Sequence, residues 1–170
     1  MLSNHNIKYD ICEHPPLHTV LESKKLRGKI KGVHTKNLFL KNKKNNFFLF
    51  SCKETAIINL KKLKRVLDLG NISFAKDFYL KDMLNVSPGS VTPFGLINDK
   101  NNKIKFIGYD HTPPQPLPLN LIHDKYSPDK ILTCGKSQLR FYTQYLKWPT
   151  KKVKVVPSLR FQFVKKNYFR

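Results

Sequence analysis

Side chains able to do chemistry are few in this chain and lie far apart. His14, His18 and His34 are the obvious candidate bases, yet none is paired in sequence with a carboxylate or a nucleophile, as general acid–base chemistry would need. Cys12, Cys52 and Cys134 form no Cys-x-x-Cys pair, so neither a disulfide framework nor a zinc knuckle is indicated, and they read as free thiols. The most constrained backbone is Ser87-Pro-Gly-Ser-Val-Thr-Pro-Phe-Gly-Leu-Ile-Asn-Asp99, with two prolines and two glycines. Such a loop can offer backbone N–H and C=O groups to a ligand's amine and carbonyl, glycine allowing close approach and proline stiffening the turn. It can equally be no more than a tight turn into a strand.

The elements that must position these residues follow from periodicity. Alternation over Ile7–Cys12 predicts a half-buried strand, ended by His14-Pro15-Pro16. Thr19 and Glu22 form a capping box that predicts a short helix to about Arg27. Thr35–Leu40 and Phe47–Cys52, joined by the polar run Lys41–Asn46, predict a hairpin. Leu60, Leu63, Val66 and Leu67 recur at helical spacing with lysines between, predicting an amphipathic helix packed by one face on a sheet. A short strand over Ile72–Ala75, a helix capped by Asp77 and running to about Leu84, and a closing strand over Ile104–Ile107 complete this part. After Tyr109, four prolines between His111 and Pro118 predict an extended linker or stiff crossover. Lys130–Thr133 and Val153–Val156 then read as strands flanking a helix that holds Gln138 to Leu146. Interspersed helices and strands predict an α/β fold, a mixed sheet flanked by helices.

At 170 residues the chain suffices for one ordinary domain and an appendage. No stretch approaches the roughly 18 apolar residues of a membrane span, and the start MLSNHNIKYD lacks the basic end and apolar core of a signal peptide, so a cytoplasmic, non-membrane protein is expected. The formal charge of +21, from 32 Lys and Arg against 11 Asp and Glu, would attract a polyanion such as RNA. The excess is nearly all lysine and comes with many Asn, Ile, Phe and Tyr, a mixture that an AT-rich genome produces without selection for binding. Charge alone names no function.

Two segments, Gly32-Val-His-Thr-Lys-Asn-Leu-Phe-Leu40 and Pro88-Gly-Ser-Val-Thr-Pro-Phe-Gly-Leu-Ile-Asn-Asp99, resemble signature segments of the prolyl-tRNA-editing (ProX/YbaK-type) aminoacyl-tRNA deacylases. Glu13–Val20 and Lys25–Gly28 resemble that family's opening segment in the same order, so the likeness spans about residues 8–108. It implies the YbaK/ProRS-associated editing fold over residues 1–109. The implied activity is hydrolysis, without metal or cofactor, of the ester joining a wrong amino acid to the terminal adenosine of tRNA, with alanyl-tRNA(Pro) as the expected substrate. The physical need is clear, because a pocket built for proline discriminates against a residue with fewer methylenes by only roughly 1–3 kcal/mol.

By the same resemblance Lys36 is the functional lysine, a compact charge with three donors suited to the phosphate or ribose of the acceptor end. Gly89, Ser90, Val91, Thr92 and Pro93 correspond to the family's glycine-to-proline loop, and Thr19, His34, Asn37 and Phe94 are expected to contact substrate. Thr19 is read as lining the pocket rather than reacting, and by residue type alone Phe39 and Phe94 read as core. The family works by positioning a water and the tRNA's own 2′-hydroxyl rather than through a side-chain base. The implied partners are the acceptor end of a mischarged tRNA and, beyond it, prolyl-tRNA synthetase.

The resemblance stops near Phe106. Family members continue with a helix and strands that include a Phe-His-Pro segment, and His111-Thr-Pro-Pro is not that motif. Residues 110–170 are therefore expected to be a Pro-rich crossover and a strand-helix-strand tail of uncertain origin, leaving the family fold incomplete at its carboxyl end. Pro128–Gly135 and Lys154–Arg160 resemble, weakly, a piece of a glycosyltransferase-like protein. Two alternatives to an active deacylase follow: a disabled relative that binds tRNA without hydrolysis, and a fusion with a glycosyltransferase-like fragment.

Overall fold

The computed structural model describes residues 8–11, 13, 15, 25, 30, 34–110, 123–125 and 127–156. Contacts divide the chain into Met1–Gly32 and Val33–Arg170, and every element below lies in the second unit. Of the first, residues 8–11 are exposed and form no strand, contrary to the expectation from their alternation. Alternation makes a strand only where an edge and a core face receive it. Apart from Lys25, which is helical, the expected helix from Thr19 to Arg27 lies outside the described residues, as does the Pro-rich crossover.

The hairpin forms as β1 (Thr35–Asn42) and β2 (Phe47–Lys53), antiparallel with Lys36 opposite Cys52 and Asn37 opposite Ser51. Its turn is tighter than the polar run suggested because Asn42 acts as a local organiser. The Asn42 side-chain oxygen accepts from the N–H groups of Lys44 (3.0 Å) and Asn46 (2.9 Å), and its amide donates to the Leu69 carbonyl at 3.0 Å. Asn45 takes the left-handed backbone (φ 58°) that asparagine tolerates.

Helix α1 (Leu60–Leu67) starts at Asn59, whose side chain accepts from the Lys62 N–H at 3.1 Å. It buries Leu63 and Leu67. β3 (Ile72–Phe74) pairs antiparallel with β1. Helix α2 (Asp77–Tyr79) runs on into a wider π turn, Leu80–Leu84. Lys76, not Asp77, is its N-cap, and Asp77 sits in the first turn, where a carboxylate suits the N-terminal end of the dipole.

β4 (Ile104–Asp110) lies parallel to β2, and it does not close the sheet. β5 (Lys130–Thr133) and β6 (Val153–Val155) add on in parallel, giving the order β3-β1-β2-β4-β5-β6. Between them run α3 (Lys136–Arg140) and its π-helical continuation Phe141–Tyr145. The result is the expected mixed sheet flanked by helices, with the tail supplying its last two strands.

Alternation along each strand sorts the core into two faces. On one, Leu40, Phe50, Cys52, Ile107 and Leu132 pack with Leu63 and Leu67 of α1. On the other, Phe39, Phe47, Leu49 and Ile104 pack with Leu80 and Leu84, while Ile131 packs with Tyr142, Leu146 and Trp148. Polar links fasten the start of β5 and the π-helical continuation of α3 to β4: Asp129, just before β5, accepts from the Phe106 N–H at 2.9 Å, and the Tyr142 hydroxyl donates to Asp110 at 3.0 Å.

Candidate functional site

Lys36 and Asn37 are neighbours at the start of β1, so their side chains leave on opposite faces of the sheet. Lys36 goes to the α1 face. Its half-buried ammonium donates to the Ala56 carbonyl at 2.5 Å, just past the end of β2. Directly across the strands lies Cys52, whose thiol is pushed up from 9.0 to about 11 by burial, with the Lys36 charge pulling the other way. The thiol also points at the Lys36 carbonyl, 3.9 Å away.

Asn37 goes to the other face and holds the constrained loop. Its amide donates to the Val91 carbonyl at 3.0 Å, and its oxygen accepts from the Ser51 hydroxyl at 2.7 Å, so both ends of the amide are used and its orientation is set. Val91 in turn packs against the core of that face.

The loop itself is built by turn chemistry. The Ser90 N–H donates to the Ser87 carbonyl at 3.0 Å, with Pro88 and Gly89 at the two central positions. Gly89 has φ +85°, the left-handed value that the third residue of a type II turn requires and that a side chain disfavours. Thr92 caps the following 3-10 turn (Pro93–Asn98): its hydroxyl accepts from the Phe94 N–H at 3.3 Å, and Pro93 occupies the first position, where no N–H is needed. Gly95 sits against Leu84, and a Cβ there would lie 3.2 Å from both the Leu84 Cβ and its carbonyl oxygen. Asn98 then donates to the same Leu84 carbonyl at 2.8 Å. The loop is thus tied to β1 in front and to the π turn after α2 behind.

Of the residues singled out in the sequence, the structure brings Asn37 and Val91 into contact and sets Thr92 and Pro93 beside them. Gly89 and Ser90 are exposed. Phe94 is 61% exposed rather than core, because Gly95 and Leu96 are the residues that this turn directs inward. His34 is not brought to the loop by any contact among the described residues; its carbonyl accepts from the Glu54 N–H at 2.9 Å, next to the Thr35–Lys53 pair of the hairpin. Thr19, His14 and His18 lie outside the described residues. Sequence reasoning passed over Ser51 and Ala56. Ser51 was findable, since the hairpin register puts it opposite Asn37; nothing in the sequence marks the Ala56 carbonyl.

Against known proteins, the model for the aminoacyl-tRNA editing domain matches residues 14–110, more than half of the chain. The chain belongs to that family. Lys36, Asn37 and the Gly89–Pro93 loop all fall inside the editing domain match, whose end coincides with the last residue of β4.

Among relatives of the editing domain, prolyl-tRNA synthetase associated domain-containing protein 1 of Mus musculus is 36% identical over 104 residues, covering 59% of this chain and 61% of that protein. Prolyl-tRNA editing protein ProX of Acetoanaerobium sticklandii is 30% identical over 102 residues, covering 59% and 62%. The chain thus spans about three-fifths of the length of these curated relatives. A crystal structure titled hypothetical protein APE2540 gives a TM-score of 0.49 at 15% identity, covering 63% of this chain and 69% of that one.

Proposed function

We propose that this editing domain is a deacylase acting in trans on mischarged tRNA, with alanyl-tRNA(Pro) as substrate. Water adds to the aminoacyl carbonyl, the bond to the ribose oxygen of the terminal adenosine breaks, and that oxygen takes up the proton, releasing the amino acid and uncharged tRNA. The observation that carries the reading is the match of the editing-domain model across residues 14–110, within which the Asn37 amide donates to the Val91 carbonyl of the loop. A pre-set backbone wall is what a pocket for a very small side chain needs, since its donors and acceptors cost nothing to organise during reaction. Lys36 is assigned to the acceptor end, and the net charge of +21 favours a polyanionic substrate. We place the reaction in the cytoplasm, with prolyl-tRNA synthetase as the enzyme whose errors it clears.

A second reading, a relative that binds tRNA without hydrolysing it, is favoured by one feature: the Lys36 ammonium is engaged by the Ala56 carbonyl on the face opposite Val91. Turnover of alanyl-tRNA(Pro), with prolyl-tRNA(Pro) as control, separates the two. The first reading expects selective hydrolysis that falls by at least about tenfold in Lys36→Ala, the loss of a charge-assisted contact. Undiminished tRNA binding with no turnover in either protein would establish the second.

A further inference from the structure

The 3-10 turn Pro93–Asn98 continues the Gly89–Pro93 loop without a break, and its side chains fall on three faces, because residues three apart eclipse one another in this kind of helix. Pro93 and Leu96 share the first, where Leu96 packs on the core. Gly95 and Asn98 share the second, against Leu84, whose carbonyl accepts from the Asn98 amide at 2.8 Å. Phe94 and Ile97 are left on the third. That face is open to solvent, the two side chains being 61% and 62% exposed. The turn cannot roll to bury them without giving up the contacts of Gly95 and Asn98 with Leu84.

Size and charge together select the occupant. A stable protein partner needs about 800 Å² on each side, whereas an aromatic side chain supplies only about 150–250 Å² even when wholly buried. Two side chains therefore fall well short of a protein interface, yet they match the face of one nucleobase, which stacks on an aromatic ring whatever its sequence. Charge agrees with a nucleic acid. Lys100 is exposed just past the turn, and the carboxylate of the intervening Asp99 is taken up by the N–H groups of Lys103 (2.9 Å) and Ile104 (2.7 Å). We propose that Phe94 and Ile97 form a stacking platform for the base of the terminal adenosine of tRNA, beside the loop that receives the aminoacyl group. The inference rests on the assignment of that loop to the acceptor end.

Binding of uncharged tRNA(Pro) to the full chain, measured beside the same tRNA with its terminal base removed, tests it. Phe94→Ala should weaken binding of intact tRNA by about tenfold, the worth of one base–aromatic stack, and leave the abasic tRNA unaffected. Phe94→Trp should bind intact tRNA at least as tightly as the native chain, and Ile97→Ser should show a smaller base-dependent loss. Both side chains are exposed, so these changes spare the core, and an unchanged urea midpoint confirms it. Undiminished affinity in Phe94→Ala, an equal loss on both tRNAs, or no tRNA binding by the native chain would overturn the platform. Turnover of alanyl-tRNA(Pro), followed in parallel, keeps the two readings apart. Turnover without a base-dependent loss removes the platform and leaves the deacylase standing; a base-dependent loss without turnover keeps the platform on a protein that only binds tRNA.

Discussion

The two halves of the sheet are built by different rules. β3, β1 and β2 are antiparallel neighbours; β1 and β2 pair locally across a short turn, while β3 returns to β1 only after α1. β4, β5 and β6 are parallel to β2, and each must be reached by a crossover. The boundary between family-matched and unmatched sequence, at residue 110, falls inside the second half, between β4 and β5. A sheet edge accepts whatever strand offers complementary hydrogen bonds and an apolar residue for each face. Leu132 on one face and Ile131 on the other meet that need in a segment the family model does not cover. The limit of the family match thus falls within one continuously paired sheet.

Ending the chain after Asp110 would break this arrangement most severely. It bares β4 along one edge and strips Leu132 and Val156 from the cluster that also holds Leu40 and Phe50. A loss of at least about 3 kcal/mol is expected, more than one core truncation typically costs, read from urea unfolding by circular dichroism. Stability equal to the full chain would show that the halves are independent.

A finer comparison sets Leu40→Ala, in the antiparallel half, beside Leu132→Ala, in the parallel half. Both side chains are buried, at 0% and 2% exposure, so each substitution should cost about 2–5 kcal/mol. If the halves form one cooperative unit, both variants unfold in a single transition, and amide exchange rises across the whole sheet. Exchange confined to β5 and β6 in Leu132→Ala would break that unity.

The faces can be compared as well. Asn37→Ala leaves the Val91 carbonyl and the Ser51 hydroxyl without their partner and should cost about 1–3 kcal/mol. Because the loop loses its tie to β1, the proposed deacylation should fall by a larger factor than the fraction unfolded accounts for. A variant destabilised but fully active would remove Asn37 from the site.

The smallest effect is in alkali. Burial raises the Cys52 thiol from 9.0 to about 11, so the unfolded chain gives up that proton first; the associated stability is present below pH 9 and lost as pH climbs to about 11. In the other half, burial and then the charge and hydrogen bond of Asp110 push the Tyr142 phenol upward too, extending the loss to higher pH. Cys52→Ala should remove the lower part of the decline and Tyr142→Phe the upper part, seen in denaturant midpoints against pH.

Much was legible without coordinates, and the reason is local. The hairpin, α1, β3 and the tail's strand-helix-strand each announce themselves through periods of two or 3.6 and through capping or turn residues that act over a few positions. The loop at Gly89 was legible because proline before glycine specifies a turn by itself, as φ +85° bears out. Residues 8–11 show the limit: their alternation was as regular as that of β1, and no strand formed.

What only the tertiary structure decided were relations between distant segments. Sequence placed Lys36 and the Gly89–Pro93 loop among the residues of interest, but not on opposite faces of the sheet, with Lys36 against Ala56 and Asn37 against Val91. Nor did it show that β4 is an interior strand or that Tyr142 bonds to Asp110. Backbone dihedrals and side-chain periods are set by neighbours along the chain, whereas which edge a strand finds, and which carbonyl an ammonium meets, depends on the packing of the whole.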